Sequence, residues 1–227
     1  MVNQSAFAQS RGTHTATVST TAKVDVSDSY FGYFFQVPAT WLEFEGTANR
    51  RMFISDPIAL AQGDLAHHSG ETFLIPEGII KVDFGADTAA SRMPEPTDVD
   101  LPTIEGTDIV IDVRARARAE DIIPFLPQGT WTTIASYPAL IVTEKRDTPS
   151  GDGPFTESTS IYILAERMVY QFWVGYAPPA DSSKSESSYA SYESAIQILT
   201  ESFMFDASIS PNQYQEPTAP VLEDTAN

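Results

Sequence analysis

The strongest signal for the fold is SIYILAERMVYQFWVGY, residues 160–176. It holds two runs rich in β-branched and aromatic residues, Ile161–Ala165 and Met168–Tyr176, separated only by Glu166 and Arg167. Two such runs joined by two residues are typical of an antiparallel hairpin. Both faces of each run are apolar, and a sheet that is apolar on both faces must be covered on both. The sequence therefore predicts a covered central sheet.

The last periodic element of the chain supplies part of this cover. Its large apolar residues step by 3, 4, 3 and 4 positions, which is the spacing of one face of an amphipathic helix. These residues are Tyr189, Tyr192, Ile196, Leu199 and Phe203. A helix with a single apolar face buries that face against a neighbouring layer. We expect it to close one side of the sheet.

Shorter apolar runs extend the predicted sheet outward from the hairpin. Further strands are predicted at Tyr30–Val37, Trp41–Phe44, Met52–Ile54, Phe73–Ile75, Ile79–Phe84, Asp108–Ala119 and Ala139–Thr143. A capping side chain before Pro57 predicts a helix start, and Gly70 ends that helix. Trp131 follows Gly129 and Thr130 and is expected in an exposed loop. The predicted class is α+β, with a central antiparallel sheet flanked by helices.

The domain boundaries follow from composition. Residues 1–29 are rich in Ser, Thr and Ala and are expected to be a flexible lead-in. Residues 207–227 are punctuated by proline and carry acidic residues without periodicity, which is typical of a tail or linker. Residues 30–206 are expected to form a single α+β domain.

Composition excludes several classes of function. Thirteen Lys and Arg stand against 31 Asp and Glu, a formal net charge of −18. Nucleic-acid binding is not expected, because affinity for phosphate comes largely from Lys and Arg. The chain has no cysteine, so it has no disulfide, thiolate nucleophile or Cys-ligated metal. No stretch approaches the roughly 18 consecutive apolar residues of a transmembrane helix, and none is expected.

The order of these features resembles a known group of proteins. The segments FQVPATW (35–41), IASYPALIVTEK (134–145), the hairpin 160–176 and ILTESFMF (198–205) are similar to PsbP-like proteins and to the Mog1 and DcrB-type groups. The resemblance implies an α/β/α sandwich in a small extracytoplasmic protein, secreted or held in a bacterial cell envelope. Such relatives typically act as accessory factors or binding modules. Bacterial relatives often begin with a lipidated cysteine, so here either an anchor has been removed or the protein is freely secreted.

One cluster has the spacing of metal ligands. Asp64, His67, His68 and Glu71 stand at i, i+3, i+4 and i+7, which would place two imidazoles and two carboxylates on one face of a helix. These groups suit Zn²⁺ or Mn²⁺. Alternatively, they form a solvated helix end, where histidine interacts favourably with the helix dipole. No other cofactor is expected.

Three arginines alternate along the predicted strand Asp108–Ala119. Arg114, Arg116 and Arg118 would form a row of guanidinium groups on one strand face. Such a row can bind a carboxylate, phosphate or sulfated glycan. Alternatively, it balances charge locally in an acidic protein.

These observations predict a non-catalytic extracytoplasmic accessory or binding protein that docks on a larger protein partner of unknown identity. The sequence lacks the serine-elbow, metalloprotease and phosphate-loop motifs of common enzymes. The alternative is a module that binds a small ligand or a divalent metal. A hydrolase is the less favoured third hypothesis, because it would need a Ser or carboxylate brought beside one of three histidines.

Overall fold

The hairpin at residues 160–176 lies inside a large antiparallel sheet. The computed structural model describes residues 22–56, 77–94, 117–146 and 155–206. Within these ranges seven strands form the large sheet: β3 (Leu42–Thr47), β4 (Arg50–Ile54), β5 (Ile79–Thr88), β6 (Thr130–Ile134), β7 (Tyr137–Lys145), β8 (Glu157–Ala165) and β9 (Met168–Ala177). Their spatial order is β3-β4-β5-β9-β8-β7-β6, and every neighbouring pair is antiparallel. The predicted hairpin and antiparallel sheet are confirmed.

One face of the large sheet, here called the core face, is covered by a second layer. This layer holds a small sheet of β1 (Lys23–Asp28), β2 (Tyr33–Pro38) and β10 (Met204–Phe205), together with helix α2 (Ser185–Ser202). Aromatic side chains fill the interface: the rings of Phe35 and Phe172 are 5.0 Å apart, and those of Phe35 and Phe84 are 4.8 Å apart. Burial of these large rings stabilises the core.

Helix α2 uses the face that its spacing predicted. Tyr192, Leu199 and Phe203 are buried on the core face, and Tyr189 and Ile196 pack partly buried beside them. Phe203 caps the helix, and its backbone N–H donates to the Leu199 carbonyl oxygen. The predicted helix is therefore confirmed.

The opposite face of the large sheet, here called the second face, carries two short pieces of helix. These are α1 (Ala89–Arg92) and a 3-10 segment, Ala119–Phe125. They pack on Leu164 and Val169 through Ala89, Ala119 and Ile122. The described residues therefore hold a long helix only on the core face, and the two helical pieces on the second face are short. The structure supports an α+β class built on an antiparallel sheet.

Several elements differ from the predictions or lie outside the described residues. Lys23–Asp28, assigned to the flexible lead-in, forms β1, because it pairs along its whole length with β2 and buries Val26. Trp131, expected in a loop beside Gly129 and Thr130, lies in strand β6, Thr130–Ile134. Residues 117–118 precede the 3-10 segment and are not a strand, while 108–116 lie outside the described residues. The helix predicted from Pro57 to Gly70, the strand at 73–75 and the tail 207–227 also lie outside them.

Within the described ranges, no helix combines the length and the apolar character needed to cross a membrane.

Candidate functional site

A groove crosses the second face of the large sheet. It consists of two cavities, of about 480 and 430 Å³, which share Asp83 and Trp173. The charged residues that line the first are Lys81, Asp83, Glu144, Arg146 and Glu157, of which Glu157 turns its side chain to the core face. Those of the second are Arg50, Asp83, Asp87 and Arg92. We call the two together the groove.

The alternation of side chains along β5 determines which residues form the floor of the groove. On β5, Val82 points to the core face, so Lys81 and Asp83 on either side of it point to the second face. Asp83 lies directly opposite Trp173 of β9, and Lys81 lies opposite Gly175. The register of two long central strands therefore brings a cation, a carboxylate and an indole together.

Lys81 lies between a carboxylate and two aromatic rings. Its Nζ is 3.2 Å from Oδ2 of Asp83, and both side chains are largely buried, at 20% and 25% exposure. The same Nζ lies 5.8 Å from the ring centroid of Trp173 and 5.9 Å from that of Phe44, which is within range of a cation–π interaction. The surroundings therefore hold the ammonium group in place from three sides.

The other oxygen of Asp83 is unsatisfied. Oδ1 is buried and has no hydrogen-bond partner among the described residues. A buried polar atom without a partner costs free energy comparable to a lost hydrogen bond. An N–H or O–H donor of a bound molecule that reached this atom would recover that free energy.

The indole of Trp173 lies across Gly175. A Cβ atom at position 175 would stand 2.3 Å from Cη2 of Trp173, so the ring occupies the space that any larger residue would fill. Phe155 packs edge-to-face against the indole, with ring centroids 5.4 Å apart. The absence of a side chain at Gly175 thus sets the position of the aromatic wall of the groove.

Glu157 links the first cavity to helix α2. Its Oε2 lies 3.1 Å from Nζ of Lys145, and its Oε1 accepts a 2.8 Å hydrogen bond from the Tyr189 hydroxyl. The hydrogen bond between Lys145 and Glu157 raises the pKa of Lys145, and the hydrogen bond to the same carboxylate raises the pKa of Tyr189. This end of the groove is thereby attached to the second layer of the fold.

Arg92 closes the opposite end. Its Nε donates to Oδ2 of Asp87 at 2.9 Å, and its Nη1 donates to Oε1 of Gln171 at 2.8 Å. Helix α1, which carries Arg92, begins with Thr88, whose side chain accepts from the Ser91 backbone N–H. A short capped helix therefore presents a fixed guanidinium group to the sheet.

The described lining of the groove carries both signs of charge although the chain is strongly acidic. It includes four basic residues, Lys81, Arg50, Arg92 and Arg146, and four acidic residues, Asp83, Asp87, Glu144 and Glu157. The whole chain has a net charge of −18. The presence of both signs suits a ligand that itself carries both signs of charge.

Of the site residues predicted from sequence, only Arg118 lies among the described residues. Asp64, His67, His68 and Glu71 lie outside the described residues, as do Arg114 and Arg116. Arg118 is exposed and precedes the 3-10 segment; its backbone N–H donates to Oδ2 of Asp121 at 2.7 Å. The described residues contain no cluster of three or more His, Cys, Asp or Glu that could hold a metal ion.

Sequence reasoning missed the groove, although one signal of it was present. The alternation of β5 separates Lys81 and Asp83 from the apolar Ile80 and Val82. A charged pair on a central strand of a sheet with apolar neighbours requires an explanation. Trp173, ninety positions away, could be joined to this pair only through the strand register.

Comparison with known proteins assigns no family. No protein-family model matches the chain, and no curated protein matches it. A crystal structure of a protein from Bacteroides thetaiotaomicron VPI-5482 is similar over 80% of this chain and 47% of its own, with 10% identity and a TM-score of 0.37. The chain therefore spans about half the length of that protein, and the similarity is too distant to carry an argument about fold or function.

Proposed function

We propose that this protein is a non-catalytic accessory protein that docks on a larger protein partner, and that the groove receives a segment of that partner. The observation that carries the proposal is the Lys81–Asp83 pair, whose second carboxylate oxygen is buried without a hydrogen-bond partner among the described residues. A donor on the partner, such as a Lys, Arg or Asn side chain, would satisfy this oxygen.

The other charged groups of the groove favour recognition over catalysis. Oε2 of Glu144 lies 3.4 Å from Nη2 of Arg146, and Glu157 is engaged by both Lys145 and Tyr189. A general base must instead face a nucleophile or a reacting proton. Carboxylates already held by cations are suited to selecting a partner by charge and hydrogen bonding.

The extent of the groove fits a polypeptide segment. Its lining includes Glu144 on β7, Ser158 on β8, Trp173 on β9, Asp83 on β5 and Arg50 on β4. Neighbouring strands are about 4.8 Å apart, so five adjacent strands span roughly 19 Å. An extended chain rises about 3.3 Å per residue, and such a groove would accommodate about six residues of a partner.

The finer fold and the location are part of the same proposal. An antiparallel sheet with a long helix on its core face supports a PsbP/Mog1-like α/β/α sandwich. The resemblance in sequence supports an extracytoplasmic bacterial protein, secreted or held in the cell envelope. An acidic surface keeps such a protein soluble and makes its copies repel one another before the partner binds.

Single cysteines can test the proposal, because the chain contains none of its own. Glu144 lines the groove and is exposed, whereas Glu193 is exposed on the outer side of α2. Glu144→Cys and Glu193→Cys would each carry a benzophenone photo-crosslinker and be irradiated in an extract of the source cells. We expect one discrete adduct from position 144, which Asp83→Asn in the same chain abolishes. Equal adducts from both positions, or an adduct that Asp83→Asn leaves unchanged, would contradict the proposal.

A small ligand is the second candidate. The first cavity, at about 480 Å³, has the size of sites that hold small molecules. Native mass spectrometry of the protein purified from its source measures this directly. A bound mass that Asp83→Asn removes would favour the small ligand, and the mass of the bare chain alone would reject it.

A further inference from the structure

Strand β6 forms one edge of the large sheet. It pairs with β7 on one side, and its sequence is Thr-Trp-Thr-Thr-Ile. Thr130, Trp131, Thr132 and Thr133 are all exposed, and Trp131 is 47% exposed. An edge strand presents a row of backbone groups that can pair with another chain.

The turn after β6 determines which backbone groups face outward. Ala135 and Ser136 have φ of 50° and 73°, so both are left-handed, as in a two-residue type I′ hairpin turn. In such a hairpin the residues flanking the turn, Ile134 and Tyr137, exchange both of their backbone hydrogen bonds. Alternation then directs the N–H and C=O groups of Trp131 and Thr133 away from β7.

Pro138 fits this assignment. It lies opposite Thr133 and has no N–H to donate, as expected where the pair is not hydrogen-bonded. No hydrogen bond to the outward groups of Trp131 or Thr133 is formed by any part of the chain that the structure describes. Among the described residues, four backbone groups in a row at this edge therefore have no hydrogen-bond partner.

The other sheet edges among the described strands are protected against pairing. Strand β3 carries Glu43, and its register shifts between positions 43 and 45. Strand β1 carries Lys23, Asp25 and Asp28, and β10 is only two residues long. Charges, irregularities and short length are the devices that keep edges from pairing. Strand β6 is also short, but its five residues are uncharged and pair regularly with β7, so it lacks the other two devices.

Exposed apolar side chains lie on the same side of the sheet as Trp131. Trp131 is opposite Leu140, which is opposite Tyr162, and this register places the indole on the second face. The 3-10 segment packs on that face and leaves Ile123 and Phe125 exposed at 42% and 55%. A strand added at β6 would find the exposed indole of Trp131 on this face.

We propose that β6 accepts an extended segment of a partner protein as an additional antiparallel strand. The segment is neutral or basic and places an apolar side chain beside Trp131. Its charge follows from the −18 of this chain, which disfavours both a second copy and an acidic segment. The inference rests on the proposed function, because it assigns a second contact to the same partner.

Substitution of Thr133 tests the pairing. Thr133→Pro removes one outward N–H that the fold does not use, and proline is tolerated at such edge positions. Thr133→Val keeps the N–H and is the matched control. Peptides would be selected from a displayed library of random nonapeptides on the full-length protein and then titrated against each variant. We expect Thr133→Pro to weaken binding about tenfold, as one lost backbone hydrogen bond implies. Thr133→Val should stay within about twofold, as for a surface substitution.

A second measurement does not depend on whether Thr133→Pro folds. Selected peptides would be N-methylated at single positions and titrated against the unmodified protein. Loss of binding at alternate positions only is the signature of strand pairing, because alternate N–H groups face the edge. The inference is overturned if selection yields no peptide that depends on the Thr133 N–H, or if methylation at every position has the same effect.

The two proposals can fail separately. If a complex with the partner forms equally well with Thr133→Pro and is lost with Asp83→Asn, strand addition is overturned and the proposed function stands. If peptides bind the edge with the expected pattern and no complex forms with any variant, the proposed function is overturned.

Discussion

Lys81 and Asp83 stand two positions apart on β5, and Nζ of the first lies 3.2 Å from Oδ2 of the second, while Oδ1 has no hydrogen-bond partner among the described residues. Among the described residues the carboxylate is therefore satisfied on one oxygen only. It lies at the centre of the groove, directly opposite Trp173. The same carboxylate therefore pairs with Lys81 through Oδ2 and can accept a hydrogen bond from a partner through Oδ1.

Lys81→Met should destabilise the protein by about 1–3 kcal/mol, the cost of leaving a mostly buried charged group without its partner. Asp83→Asn in the same chain should recover most of this loss, because it removes the isolated charge. Urea unfolding of the wild type, both single variants and the double variant gives the coupling energy. Strictly additive effects would show that the pair does not interact.

Gly175→Ala should move the indole of Trp173. The new Cβ would stand 2.3 Å from Cη2 of Trp173 and 3.0 Å from Cδ1 of Phe155, so one ring must shift. Overpacking of this kind costs about 1–3 kcal/mol. With Trp41 and Trp131 changed to Phe, the fluorescence of Trp173 should shift to longer wavelength as the ring becomes more exposed.

The matched control is Gly85→Ala on the neighbouring strand. There a Cβ would approach Oδ2 of Asp87 only to 3.8 Å, an ordinary contact. This variant should change stability by less than about 0.5 kcal/mol and leave the fluorescence unchanged. Equal effects at positions 85 and 175 would contradict the assigned position of the indole.

The buried tyrosines predict a loss of stability at high pH. Burial raises the pKa of Tyr192 from 10.0 to about 12, against the opposing effect of its 2.8 Å hydrogen bond with Thr159. Burial also raises the pKa of Tyr170. The folded state binds these protons more tightly, so their contribution is complete below pH 10 and is lost as the pH rises from 10 towards 12.

The slope of the free energy of unfolding against pH shows whether Tyr192 contributes to this loss. Each such group should lower the free energy of unfolding by about 1.4 kcal/mol per pH unit in this range. Tyr192→Phe should be less stable at neutral pH, by about 1 kcal/mol for the lost hydrogen bond, yet should show a shallower decline above pH 10. Urea unfolding at a series of pH values measures both, and an unchanged slope would contradict the burial of the Tyr192 hydroxyl.

A glycine at position 136, in the turn after β6, should stabilise the protein. Ser136 has a φ of 73°, a left-handed conformation that costs an L-residue about 1–2 kcal/mol. Ser136→Gly should therefore raise the free energy of unfolding by up to about 1 kcal/mol, while Ser136→Ala should not. A thermal unfolding midpoint for Ser136→Gly no higher than that of Ser136→Ala would contradict the type I′ turn.

The sequence predicted the elements whose local signals agree with their packing. The hairpin at 160–176 and helix α2 have strong periodicity, and both match the structure. Strand β6 was missed because it is short and its turn, Ala135-Ser136, lacks the Gly or Asn that usually marks a type I′ hairpin. Strand β1 was missed because only Val26 of its six residues is buried.

The groove could not be predicted for a different reason. Only the Lys81–Asp83 pair gives a local signal, and the site exists because β5 pairs with β9 in one register that brings Trp173 beside it. A shift of one residue would move Asp83 away from Trp173 and turn Lys81 towards the core face. That register is set by packing across the whole sheet, which no short spacing in the sequence records.

The most direct test of docking on a larger partner is native electrophoresis of source-cell membranes and secretions before and after a high-salt wash. Salt at about 1 M screens charge interactions beyond about 3 Å. The protein would be compared with Asp83→Asn and with the matched surface variant Glu193→Gln. We expect the unchanged protein and Glu193→Gln to migrate in a complex far larger than 24.8 kDa that the salt releases, and Asp83→Asn to migrate alone. Migration of all three near 24.8 kDa before the wash, or a complex that retains Asp83→Asn as fully as the unchanged protein, would contradict this expectation.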